Sequence, residues 1–177
     1  MMRPVLLSLL LCAPPLLGAC HPDPVHSDKV AAQGPEDPGI PTGPLHRPGQ
    51  PCLVCHGDAG PASMVMSLAG TLYQEDKSRN PLEGAIVQVF DSAGHKTATA
   101  TNCMGNFFIQ KKSFDPVWPV WVQIKYGANL PAVPMSSAIF RDGSCANCHH
   151  DPTGRATAGH VYFLPQGTMS FPKGGCK

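Results

Sequence analysis

From Met66 onward the chain alternates. In VMSLAGTLYQ, Leu68, Gly70 and Leu72 fall on one side. GAIVQVFD puts Ala85, Val87 and Val89 on one side and Ile86, Gln88 and Phe90 on the other. HKTATATN and GNFFIQ follow, and in PVWVQIKY Val120, Val122 and Ile124 alternate with Trp121, Gln123 and Lys125. Period two in β-branched and aromatic residues predicts short antiparallel strands, punctuated at Asn80-Pro81, Ala93-Gly94 and Gly105-Asn106. Their spacing predicts a mainly β chain whose residues 66–130 form an antiparallel β-sandwich. Ile86, Phe90 and Trp121 fall on the outward side, either as ordinary exposed apolar residues or as a seat for a flanking segment.

The flanks read differently. The start, MMRPVLLSLLLCAPPLLGAC, has one cation, Arg3, before an apolar stretch too short to span a bilayer. Residues 1–19 therefore read as a secretory signal. Leu17-Gly18-Ala19-Cys20 resembles a bacterial lipobox. That resemblance implies cleavage before Cys20, lipidation of Cys20, and a durable membrane anchor made of several acyl chains. The alternative is ordinary cleavage that leaves Cys20 a free thiol. His21 after the cysteine favours the outer membrane, by resemblance to enteric sorting rules. Residues 20–45 are dense in Pro, Gly and small polar residues and read as a lipidated cysteine followed by a flexible tether.

Charge narrows the partners. The 177-residue chain has 13 Lys/Arg and 12 Asp/Glu, and removing Arg3 with the signal leaves the two balanced. With no basic run, nucleic acid is not an expected partner.

Two pentapeptides carry the candidate chemistry: Cys52-Leu-Val-Cys55-His56 in a first segment, residues 46–65, and Cys145-Ala-Asn-Cys148-His149 in a second, residues 131–177, which ends in an apolar strand. In a Cys-x-x-Cys-His turn two thiols lie on one side of a helical turn, where each can add to a haem vinyl group. The adjacent His can then ligate the iron. Two copies in an exported chain point to two covalently attached c-type haems, with Cys52, Cys55, Cys145 and Cys148 as attachment points and His56 and His149 as proximal ligands. A four-cysteine zinc site, a thioredoxin-like redox pair and structural disulfides are the competing readings. Cys103 and Cys176 remain, and the favoured reading is a disulfide between them; the alternatives are two unrelated thiols or pairing with a partner.

Residues 66–127 resemble the carboxypeptidase-regulatory-like, transthyretin-like domain, through Gly70-Thr71-Leu72, Pro81-Leu82-Glu83-Gly84-Ala85, Thr97 to Thr101 and Gly105-Asn106-Phe107. Cys103 in the turn departs from that pattern. The whole layout resembles small di-haem lipoprotein cytochromes whose haem motifs flank such a sandwich. The resemblance speaks for a fold and says little about function.

A distal ligand for each iron can come from far along the chain. His46 and His160 are the leading candidates, with Met135 and His150 behind them; His95, Met64 and Met66 are more ordinary surface or core residues. A bis-ligated pair would transfer electrons with redox partner proteins of the cell envelope, at a membrane reached through the lipid anchor. The chain shows no separate catalytic constellation, and the expectation is an electron carrier and not an enzyme. The alternatives are a peroxidase-type enzyme with one open iron, or a redox- or gas-sensing binding module.

Overall fold

The computed structural model describes residues 23–36, 38–40, 42–76, 78–151, 154–165, 167, 171 and 176. The fold is mainly β. Strands β1 (Met66–Glu75), β4 (Asn106–Gln110) and β7 (Val161–Leu164) form one sheet in the order β4-β1-β7. The other sheet comprises β2 (Ile86–Asp91), β3 (Lys96–Ala100), β5 (Val120–Lys125) and β6 (Val133–Pro134), in the order β3-β2-β5-β6. Leu68, Leu72, Phe107 and Phe163 from the first sheet meet Val87, Val89, Val120 and Ile124 from the second in one apolar core.

The alternation is realised as expected in β2. Ala85, Val87 and Val89 are fully buried, while Ile86, Gln88 and Phe90 are half-buried. Trp121 pairs across strands with Phe90 and is 46% exposed. The outward face of this sheet is therefore not where the flanking segments pack. They pack on β1, nine of whose ten residues are buried. Helix α2 (Leu53–His56) and a 3₁₀ turn (Cys145–Asn147) both lie against it.

Three features depart from the expected architecture. β7 pairs parallel with β1, Leu72 opposite Val161 and Glu75 opposite Leu164, where an antiparallel sandwich was expected. β6 joins the second sheet beside β5, so the sandwich extends past residue 130 into the predicted second haem segment. The expected tether contains an ordered helix, α1 (Pro24–Ala31), packed against α2. Its start is well signalled: Asp23 accepts a hydrogen bond from Val25 N at 3.0 Å, and Pro24 occupies the first turn, where a missing N–H costs nothing. Long-range contacts hold the segment after it. Arg47 donates to Gln33 O at 3.1 Å and to Gly34 O at 2.7 Å.

A disulfide joins Cys103, in the β3–β4 turn, to Cys176, 73 residues away. Among the described residues no helix is long and apolar enough to cross a membrane. The expected signal and Cys20 lie outside the described residues.

Candidate haem sites

The two pentapeptides adopt the same local structure. In the first, Cys55 N and His56 N donate to Cys52 O at 3.1 and 2.9 Å; in the second, Cys148 N and His149 N donate to Cys145 O at 3.2 and 2.8 Å. Each turn is then crossed by the chain that follows it. Ala62 N donates to Cys55 O at 3.0 Å, and Ala158 N to Cys148 O at 2.9 Å. This return brings a backbone carbonyl to the histidine ring. His56 Nδ1 lies 2.9 Å from Met64 O, and His149 Nδ1 lies 3.0 Å from Gly159 O. A carbonyl only accepts, so Nδ1 carries the proton in both rings and the Nε2 lone pair is left for a metal.

Their surroundings differ. Beside the first motif, the His46 ring centroid is 5.8 Å from that of His56. His46 is held by its neighbours in the chain and by the sandwich. Asn106 Nδ2 donates to His46 O at 3.1 Å; Thr71 Oγ1 donates to Asn106 Oδ1 and accepts from Gly49 N, both at 2.7 Å. Thr71 and Asn106 are buried, so β1 and β4 grip the 44–49 loop through a satisfied polar network. Arg47 has φ +52°, a conformation rare outside glycine, and four contacts impose it: Gln33 O, Gly34 O, Gln50 Oε1 and Glu36.

The second motif opens into a cavity of about 510 Å³ at the β6–β7 side of the sandwich, between the two sheets. Cys145, Cys148 and His149 line one wall, and Val87, Ile124 and Phe163 contribute core side chains. The volume is in the range that holds a cofactor, roughly 300–1,000 Å³. Ser144 Oγ, on the same wall, is buried with no hydrogen bond, an orphan that a bound group or water would satisfy. Asp142 builds the turn: its carboxylate accepts from Ser144 N at 2.9 Å and from Asn147 Nδ2 at 2.7 Å. The apolar cavity, the lone pair of His149 and the two thiols fit a covalently held haem, and at the first motif the paired imidazoles and thiols do likewise.

The distal candidates divide sharply. Met135 and His160 both line the second cavity. His160 Nδ1 is 3.2 Å from Asp151 Oδ2 and its Nε2 3.3 Å from Glu75 O, so both nitrogens face acceptors of the protein. That hydrogen bond from His160, foremost, and the nearby Arg79 hold the Asp151 carboxyl below its ordinary range. His150 is exposed, with Nδ1 3.3 Å from Asp151 O, and is brought to neither site. His95 binds the buried Asp91 carboxylate at 3.0 Å, Met66 is buried in β1, and Met64 supplies its carbonyl rather than its sulfur.

Two of the thiols, Cys52 and Cys145, are not poised as nucleophiles. Burial, foremost, pushes Cys52 up to about 11. Burial and then the neighbouring Cys52 and Asp142 push Cys145 up to about 12. Reactive redox cysteines show the opposite shift. Motifs 93 positions apart in sequence both pack against β1, and Ala69 N donates to Gly143 O just before the second. Among the described residues no three His, Cys, Asp or Glu side chains converge as a metal-holding group.

Sequence reasoning missed Glu36, Thr71, Asn106 and Asp142. The Asp-Gly-Ser-Cys run at 142–145 carried a local cap signal for the last of these; the other three act across the fold. No protein family, characterised protein or solved structure matches the chain, so the resemblance of residues 66–127 to transthyretin-like domains rests on their own motifs and on the sandwich that they build.

Proposed function

We propose that the protein is a di-haem c-type cytochrome of the bacterial cell envelope, a lipoprotein anchored through Cys20, that passes electrons between envelope partners. The observation that carries this reading is the shared disposition of His56 and His149, each with Nδ1 fixed on a downstream carbonyl and Nε2 free beside two thiols. A c-type haem at each motif would take up and release one electron at its iron. The chain's part is to hold each imidazole in one tautomer, to exclude water from the second site with the sandwich core, and to set both sites against β1. Such an arrangement supports transfer from one site to the other within a single small domain.

One observation favours a second reading. With both nitrogens of His160 engaged, the second cavity offers no free imidazole opposite His149, which suits an iron open to a small ligand, as in a peroxidase-type enzyme or a gas sensor. Met135, on the same cavity, would close it with a sulfur donor and raise its potential.

Production of the full chain with a cytochrome c maturation system should yield two haems per chain by pyridine haemochrome assay. Cys145→Ser with Cys148→Ser should yield one. A wild-type value of one or none overturns the reading. CO titration of the reduced protein then separates carrier from open-iron enzyme or sensor: no uptake supports the first, one CO per chain the second.

A further inference from the structure

Glu36 and the 42–47 segment lie beside the first motif, and His46 within them faces both Glu36 and the His56 ring. Its Nδ1 is 3.2 Å from Glu36 Oε1, at ion-pair distance, yet it is buried and makes no aligned hydrogen bond. Its Nε2 is engaged by nothing named above. Glu36 is fixed in turn by Arg47 Nε at 3.6 Å. Arg47 adopts its left-handed conformation immediately after His46, a strained corner that redirects the chain there. Two imidazoles that share one metal at about 2 Å each hold their ring centroids about 6 Å apart; His46 and His56 stand 5.8 Å apart. Direct stacking or edge packing of two rings spans about 4.5–7 Å and does not by itself require both Nε2 atoms to be uncommitted.

We infer that this segment makes His46 the second axial ligand of the first iron, opposite His56, with Glu36 as its positioning residue. This rests on the di-haem reading above. The carboxylate beside Nδ1 keeps the proton on that nitrogen, leaves the Nε2 lone pair for iron, and strengthens the imidazole as a donor. A ring rotation that aligns Nδ1–H with Glu36 would satisfy this buried nitrogen, which lacks a hydrogen bond. The first iron would thereby be six-coordinate with two nitrogen ligands, a set that gives a lower potential than one nitrogen and one methionine sulfur. His26 is the rival: its Nε2 is also buried without a partner, on α1, which packs against α2.

The test uses the full-length holoprotein in detergent, with the parent, His46→Ala, His46→Met, Glu36→Gln and His26→Ala compared. Near-infrared magnetic circular dichroism should give a two-nitrogen signature for one haem of the parent. His46→Ala should lose it and bind one more CO per chain than the parent. His46→Met should replace it with a nitrogen–sulfur signature and a more positive potential. Glu36→Gln should keep the two-nitrogen signature but shift that haem's potential upward, a change that a merely structural carboxylate would not produce. His26→Ala should match the parent. If His26→Ala instead loses the signature and gains the CO, or if His46→Ala changes neither, the assignment of His46 is overturned; an unchanged potential in Glu36→Gln overturns the role of Glu36. The haemochrome count on the same samples keeps this apart from the di-haem reading, since a parent with fewer than two haems sinks that reading and not the ligand assignment alone.

Discussion

Asp91 shows how much one side chain can organise. Its buried carboxylate accepts from Ala93 N, His95 N and Val117 N at 2.8 to 3.1 Å and lies 3.0 Å from His95 Nδ1. Burial pushes its pKa up, but the bonds from Val117 and His95 prevail and hold it at about 2. An unfolded aspartate titrates near about 3.9, so the ionised form stabilises the fold above that value, and this stability is lost as pH falls from about 4 toward about 2. Asp91→Asn should lower stability at neutral pH and flatten the acid limb of the stability curve in that window. An acid limb identical to the parent's would show that another carboxylate governs it. At this scale the sequence was readable only where chemistry is local. Five consecutive residues suffice to recognise Cys-x-x-Cys-His. His46 could be nominated from its place before Cys52, but Glu36, Thr71 and Asn106 are meaningful only once the fold brings them to it. For His160 the sequence shows its place after the second motif but not the contacts of its nitrogens with Asp151 and Glu75.

Among the elements, the strands were legible and the helix was not. Alternation in β2 and β5 marks a buried face directly, because side chains on a strand point to opposite sides in turn. α1 hides among prolines and glycines, and its cap is local, but the order of the segment after it depends on Arg47 reaching back to Gln33 and Gly34. The parallel partner of β1 was equally unreadable, since pairing direction follows from the route of the chain between 130 and 160. β1 itself read as an ordinary half-buried strand, yet both of its faces are covered. Gly70 makes one cover possible. A Cβ there would stand 2.7 Å from Cys145 Cβ and 3.1 Å from the Phe107 ring. Gly70→Ala should cost about 1–3 kcal/mol as an overpacked contact. It should also displace the second motif while sparing the first, giving a lowered Tm and incomplete attachment at Cys145 alone. Equal loss at both motifs would show that the strand as a whole had shifted.

Over the whole molecule the two motifs were expected to flank the sandwich; in the structure the second lines a cavity between the sheets and both pack against β1. The disulfide between Cys103 and Cys176 encloses strands β4 to β7 and all of the second motif in one covalent loop. Replacing both cysteines by serine should cost about 2–4 kcal/mol, read as a lower denaturant midpoint with both haems retained; an unchanged midpoint would show the cross-link to be idle. The deepest consequence lies with β1. Its amides pair with β4 on one side and β7 on the other, and both pentapeptides pack against it. Local fluctuations that free one flank leave those amides protected, so they exchange with solvent hydrogen only when the entire domain opens. The two sites therefore belong to one cooperative unit: neither can come loose by unfolding its support without dissolving the other's, and the gap between them stays constant for as long as the protein is folded at all.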